Sequence, residues 1–222
     1  MRHIILLFVL AVFWGSAHAA TYQYTGPVYT GITDFTAPCD PTATCQNYPA
    51  GGRVTGQFTT AVPLGVLSDA SILAQLTSYS FTDGIHTFSS SDSRSRVVLF
   101  RVTTNVSGQI TSAHISLQQW AEARSPHIVN DWFGNLYISS AGTVLARHNS
   151  RCDSVDPFDD VCGVVSDPAS SSAASAGTPG AWQTALEPTS VPTLSAWALL
   201  ILAPVLALLG LWSLRCRKGG VV

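Results

Sequence analysis

The chain predicts an all-β protein, an antiparallel β-sandwich ectodomain held between two hydrophobic ends. Three observations lead there. Short stretches rich in β-branched and aromatic residues recur, and Gly, Asp and Asn turns separate them. Between the two ends no long stretch repeats with the period of a helix, residues 70–75 being the one ambiguous turn. Four of the five cysteines sit in two short, turn-rich loops, as in chains that fold in an oxidising space.

The elements follow in order. Residues 2–19, RHIILLFVLAVFWGSAHA, begin with Arg2 and continue as an apolar run of eleven, Ile4 to Trp14. Ala17-His18-Ala19 has the small-x-small pattern of a signal peptidase site, so residues 1–19 are expected to be a signal peptide cleaved after Ala19. The ectodomain is expected over 20–165. Strands are predicted at 22–24 and 52–59. A hairpin, SYSF-TDG-IHTF, turns at Asp83-Gly84. The stretch 95–104, SRVVLFRVTT, alternates with Val98, Phe100 and Val102 on one face. NVSG (105–108) turns it into QITSAHISL, with Thr111, Ala113, Ile115 and Leu117 on one face. Asn105-Val106-Ser107 has the form of a glycosylation sequon and is read as turn chemistry. A third hairpin turns at Ala141-Gly142.

Cys39 and Cys45 bracket one loop and Cys152 and Cys162 another, and near-neighbour pairing gives two local disulfides. Each closes a short loop and is expected to contribute about 2–3 kcal/mol. Cys216 has no such neighbour. Residues 166–190, SDPASSSAASAGTPGAWQTALEPTS, are rich in Ser, Ala, Gly, Pro and Thr and read as a flexible stalk, with Trp182 incidental to it. As a random chain it would span roughly 28 Å.

The C-terminal run 196–214 is nineteen residues without a charge. At about 1.5 Å per residue a helix of that length covers roughly 28 Å, close to the hydrocarbon thickness of a bilayer. Trp197 and Trp212 stand near its ends, and Arg215, Arg217 and Lys218 follow at once, which places that side in the cytoplasm. The reading is one transmembrane crossing with the body outside.

Just before this span stands Val191-Pro192-Thr193-Leu194, with Trp197 three residues on. This ending resembles the IPTL-CTERM sorting signal, a relative of the PEP-CTERM tails of Gram-negative bacteria. The family pattern has Ile where Val191 stands and Gly where Ala198 stands. The resemblance covers residues 191–218 only. It implies an exosortase-type membrane enzyme that recognises and processes the tail. It also implies a precursor in the inner membrane and a product in the periplasm, at the cell surface or in the extracellular matrix.

Charge excludes one class of partner. Residues 20–190 hold all thirteen acidic residues against seven Arg and no Lys, leaving that part about six charges negative. Nucleic acid is therefore not an expected partner, since phosphate binding needs clustered cations. No nucleophile, metalloprotease, phosphate-loop or dinucleotide signature occurs. His86, His114, His127 and His148 are scattered, so no catalytic residue, metal ligand or cofactor is assigned. Asp153, Asp156, Asp159 and Asp160 share one loop, which reads as a solvated acidic turn rather than a calcium site. Tyr48, Trp120 and Trp132 could stack on sugar rings or complete a core. The expected function is a non-enzymatic surface or matrix protein. The alternatives are a glycan-binding module, with extracellular polysaccharide as ligand, and a secreted hydrolase.

Overall fold

The computed structural model describes residues 19–35, 46–166 and 170–186. The expected signal segment up to His18, the Cys39–Cys45 loop, the membrane span 196–214, the Val191-Pro192-Thr193-Leu194 motif with Trp197, and the basic residues Arg215, Arg217 and Lys218 lie outside them. Among the described residues no helix is long and apolar enough to cross a membrane.

Strands account for the regular structure. They are β1 (Ala20–Val28), β2 (Gly31–Thr33), β3 (Arg53–Thr60), β4 (Ala70–Ser71), β5 (Leu76–Thr82), β6 (Thr87–Ser89) and β7 (Ser95–Thr104). There follow β8 (Ile110–Trp120), β9 (Trp132–Ile138), β10 (Val144–Asp156), β11 (Val161–Ser166), β12 (Ser171–Ser175) and β13 (Ala181–Leu186). One sheet has the order β13-β1-β3-β5-β6 and the other β2-β12-β10-β9-β8-β7-β4, with β11 paired to β10 off that path. Every pairing is antiparallel.

The fold is sandwich-like because each sheet has one apolar face. Tyr22 and Tyr24 on β1, Phe58 on β3 and Phe81 on β5 meet Phe100 on β7, Ile115 and Leu117 on β8, and Leu136 on β9 in one buried cluster. Phe58 joins the two layers. Its ring stacks on Tyr22 at 5.0 Å and meets Phe100 edge-on at 5.0 Å. Burying an aromatic side chain of this size contributes roughly 1.5–3 kcal/mol.

The three expected hairpins form as β5–β6, β7–β8 and β9–β10. The NVSG turn works as its chemistry suggests: the Asn105 side-chain oxygen accepts the N–H groups of Ser107 and Gln109, and Gly108 has a φ of 74°. Two face assignments need correction. A register shift between Val97 and Leu99 takes Val98 out of the alternation, leaving it 43% exposed. A second shift, at Thr103/Thr104, turns Thr111 outward while Ile110 goes in. Bulges of this kind break the two-residue period locally and cannot be seen in an alternation pattern.

The larger correction concerns 166–190. This stretch is not a stalk throughout, since it supplies one strand to each sheet. β12 lies between β10 and β2, so it is an interior strand hydrogen-bonded on both sides. Its Ser171, Ala173 and Ser175 face inward, all at most 2% exposed. β13 pairs with β1 from Ala20↔Leu186 to Thr25↔Ala181. Trp182 is a packing residue, with its ring 4.8 Å from Tyr24 and 5.7 Å from Phe58. The domain thus runs from Ala20 to Leu186, and the expected boundary at 165 cuts through it.

The far end of β10 folds with β11 into a hairpin closed by the Cys152–Cys162 disulfide, with the Cα atoms 5.6 Å apart. Gln118 of β8 ties this hairpin down. Its side-chain amide donates to the Cys162 carbonyl at 3.0 Å and accepts the Cys162 N–H at 2.8 Å, as a neighbouring strand would. Trp120, Phe133, Cys152 and Cys162 form a small second core beneath it.

A chain ending after Val165 should therefore lack a fold, while one ending after Glu187 should melt cooperatively with a β-type circular dichroism spectrum. Trp182→Ala in the longer chain should cost about 2–3 kcal/mol, read by chemical denaturation. Cooperative melting of the 165 truncation would reinstate the stalk.

Candidate functional site

A cleft of about 410 Å³ has Ile85, His86, Arg94, Trp132, His148 and Asn149 among its lining residues. Its volume falls in the range of small-molecule sites, about 300–1,000 Å³.

A buried carboxyl group builds it. Asp83 follows β5 at the expected turn and is fully buried. Its Oδ1 accepts the N–H groups of Ile85 at 2.8 Å and His86 at 2.7 Å, shaping the turn. Its Oδ2 accepts the Tyr48 hydroxyl at 3.0 Å, and its main-chain oxygen accepts the Tyr29 hydroxyl at 2.8 Å. Burial pushes both phenols well up, and the neighbouring Asp83 adds to the shift. They remain donors at every physiological pH.

The turn delivers His86 to the cleft. His86 Nδ1 lies 3.5 Å from Asp83 Oδ2, and its Nε2 lies 2.7 Å from His148 Nδ1. The contacts are satisfied together when His86 donates to Asp83 and accepts from His148. Two further devices make room for this pair. The His86 ring occupies the space above Gly134 of β9, where an added Cβ would stand 2.6 Å from its Cε1. Opposite that glycine, β10 carries a bulge: Arg147 pairs with Asn135 and Ser150 with Phe133, so His148 and Asn149 face one residue. Asn149 takes a left-handed conformation with φ 61°. It is 3% exposed, and neither side-chain amide atom has a hydrogen-bond partner.

At the rim Arg94 grips Asp92 with Nε at 3.1 Å and one terminal nitrogen at 2.8 Å. Gln119 donates to the same carboxyl group at 2.8 Å. The Arg94 guanidinium outweighs partial burial and, with Gln119, holds the Asp92 carboxyl down at about 2.

Of the two roles open to Tyr48, Trp120 and Trp132, the structure gives the first two the core role. Trp120 is fully buried and Tyr48 is 4% exposed, each completing a packed region and each spending its polar atom internally. Trp132 alone of the three keeps partial exposure, and it lines the cleft. His114 is paired with the Tyr137 hydroxyl at 2.7 Å on β8 and β9, away from the cleft.

The acidic loop is a structural anchor. Burial raises the Asp160 carboxyl, but the His127 N–H, the Arg96 guanidinium and the His127 ring together outweigh it and hold it at about 2. The His127 ring stacks on Trp120 at 4.3 Å, and the Trp120 indole donates to the Asp160 carbonyl at 2.9 Å. Asp156 accepts the N–H groups of Phe158 and Asp159 in the same turn. Among the described residues no group of three or more His, Cys, Asp or Glu is arranged to hold a metal.

Sequence reasoning named His86, His148 and Asp83 singly and never as a group. They lie on different elements, and only the bulge and the glycine bring the two rings together. Asn149 carried no signal, because a left-handed asparagine inside a strand has no sequence mark.

Asp92 and Asp160 ionise at about 2 when folded, against 3.8 for an ordinary aspartate, so both stabilise the fold when charged. That contribution is complete above about pH 4 and fades as pH falls through 2. With respect to these groups, thermal melts should stay level from pH 7 to about pH 4 and drop as pH falls on toward 2. Asp160→Asn should lose roughly 2–3 kcal/mol at neutral pH and show a shallower acid limb. An unchanged melt would remove the anchor role.

No curated protein and no solved structure matches the chain. Residues 189–216 match the IPTL-CTERM motif, so the resemblance to that family is confirmed and is confined to the C-terminal tail.

Proposed function

We propose that the protein is a non-enzymatic component of the cell surface or extracellular matrix, exported and then sorted by its C-terminal tail. The carrying observation is the tail match, which starts at residue 189, directly after the last strand of the domain ends at Leu186. A sorting motif of this kind supports export and a membrane enzyme that reads Val191, Pro192, Thr193, Leu194 and Trp197. On this reading Arg215, Arg217 and Lys218 set the orientation of the precursor.

The non-enzymatic part is supported by how the histidines are used. Both ring nitrogens of His86 are engaged, by Asp83 and His148, and both of His127, by Asp160 and the Glu122 carbonyl. Among the described residues neither histidine is hydrogen-bonded to a serine or cysteine. An acyl-transfer site needs the base hydrogen-bonded to the nucleophile.

Replacing Pro192-Thr193-Leu194 with three alanines separates a sorting signal from a plain anchor. Hydrophobicity is almost unchanged, so the chain should still insert. Mass spectrometry of the C-terminal peptide should find the span missing from the wild-type surface protein and retained in the variant. A wild-type surface protein that keeps residues 199–214 would overturn the proposal.

A further inference from the structure

We propose that the open edge of strand β13 is an interface between two copies of this chain, paired antiparallel about a two-fold axis at Gln183.

An edge strand presents a row of unspent N–H and C=O groups, so edges decide where a sheet can gain a strand. Among the described residues the other edges are blunted. β2 and β6 have three residues each and β4 has two. β11 is longer, but two register shifts against β10 break its regularity. β13 has none of these protections. Its sequence, AWQTAL, holds no charge and no proline, and its register on β1 is unbroken from end to end. It stands last in its sheet and is paired on one side only.

Charge and register select a second copy as the occupant. Residues 20–190 carry about six net negative charges, so two copies repel except where their surfaces are neutral. β13 is neutral, and so are β1 beside it and residues 55–60 of β3. The outward face across these strands also repeats one residue type. Gln183 stands opposite Gln23, and Gln23 opposite Gln57, all three exposed. A two-fold axis perpendicular to the sheet leaves every side chain on its own face. Placed at Gln183, it sets Gln183 opposite itself, Ala181 opposite Ala185 of the second copy, and Trp182 opposite its Thr184. The glutamine row then runs on unbroken from one sheet into the other. Each primary amide carries donors and an acceptor, so amides in such a row satisfy one another. An extended peptide from another protein would find the same backbone groups, but no glutamine fixed opposite Gln183 by symmetry. The contact, residues 181–185 on each copy, belongs with weak interfaces below about 1,200 Å², so the dimer should depend on concentration.

Cysteine cross-linking and sedimentation on the full chain in a zwitterionic detergent test the assignment, with Cys216→Ser as the background. Directly opposite residues of an antiparallel pair lie about 4.5–5.5 Å apart at Cα, within reach of a disulfide. Gln183→Cys should give a covalent dimer on mild oxidation about tenfold faster than Gln57→Cys, in the same row on an interior strand. Sedimentation should find the background chain in a monomer–dimer equilibrium. Gln183→Lys and Gln183→Glu should each self-associate about fivefold more weakly, since like charges meet at the axis. Their melting temperatures should not change, because Gln183 is exposed. Mixing the two variants should restore association, since unlike charges then meet. Association through the apolar run 196–214 would ignore residue 183, and a β13 covered by another segment of its own chain would leave a monomer. Equal cross-linking at 183 and 57, a monomer at every concentration, indifference to the Lys and Glu changes, or a mixture that fails to recover would each overturn the proposal.

Discussion

Strand β10 must pair with three other strands of one sheet, and that constraint organises the molecule. Its thirteen residues pair with β9 and β12 over the first part and with β11 over the second. One straight strand cannot stay in register with all three on a twisted sheet. The bulge at His148 and Asn149 is where the register with β9 shifts. Before it, β10 contributes Val144 and Ala146 to the main core; beyond it, Cys152 joins the small core under Trp120. The cleft sits at this crease. The residues at this shift, His148 and Asn149, also line the cleft.

Two buried or half-buried aspartates fix the loops on either side. Asp83 gathers two main-chain N–H groups, one phenol and one imidazole, and so determines where His86 stands. Asp160 gathers the His127 N–H and ring, the Arg96 guanidinium and the Ser125 hydroxyl, and so binds the hairpin tip to the loop after β8. In each case the side chain replaces a regular ladder where the chain has none. A carboxyl group with several donors at fixed positions holds irregular backbone nearly as firmly as a sheet does. With net acidity this high, most aspartates would be expected in solvent, yet these two act as internal fasteners.

Much of the fold was legible because alternation and turn chemistry are local. Phe100, Val102, Ala113, Ile115 and Leu117 declare their inward faces, and Asp83-Gly84 and Asn105 declare their turns. The failures are equally physical. β12 was unreadable as a strand because an interior strand in a tight place needs small residues, and Ser171, Ala173 and Ser175 look like linker composition. Trp182 was the one cue in that region, and its partners Tyr24 and Phe58 lie too far away in sequence to suggest the contact. The bulges at Val98 and at His148–Asn149 displace side chains by a register that no residue type specifies. The tail motif, by contrast, was legible in full, since a recognition element is read by its letters and not by its fold.

The pairing of Ala20 with Leu186 puts the two ends of the domain side by side on neighbouring strands. Entry and exit therefore share one rim, and β13 is an edge strand held to the sheet by β1 alone. Tension applied to the chain beyond Leu186 enters at that edge. Pulled against Ala20, the β1–β13 ladder would open one rung at a time, like a zip. The domain thus resists least where its own two ends are drawn apart.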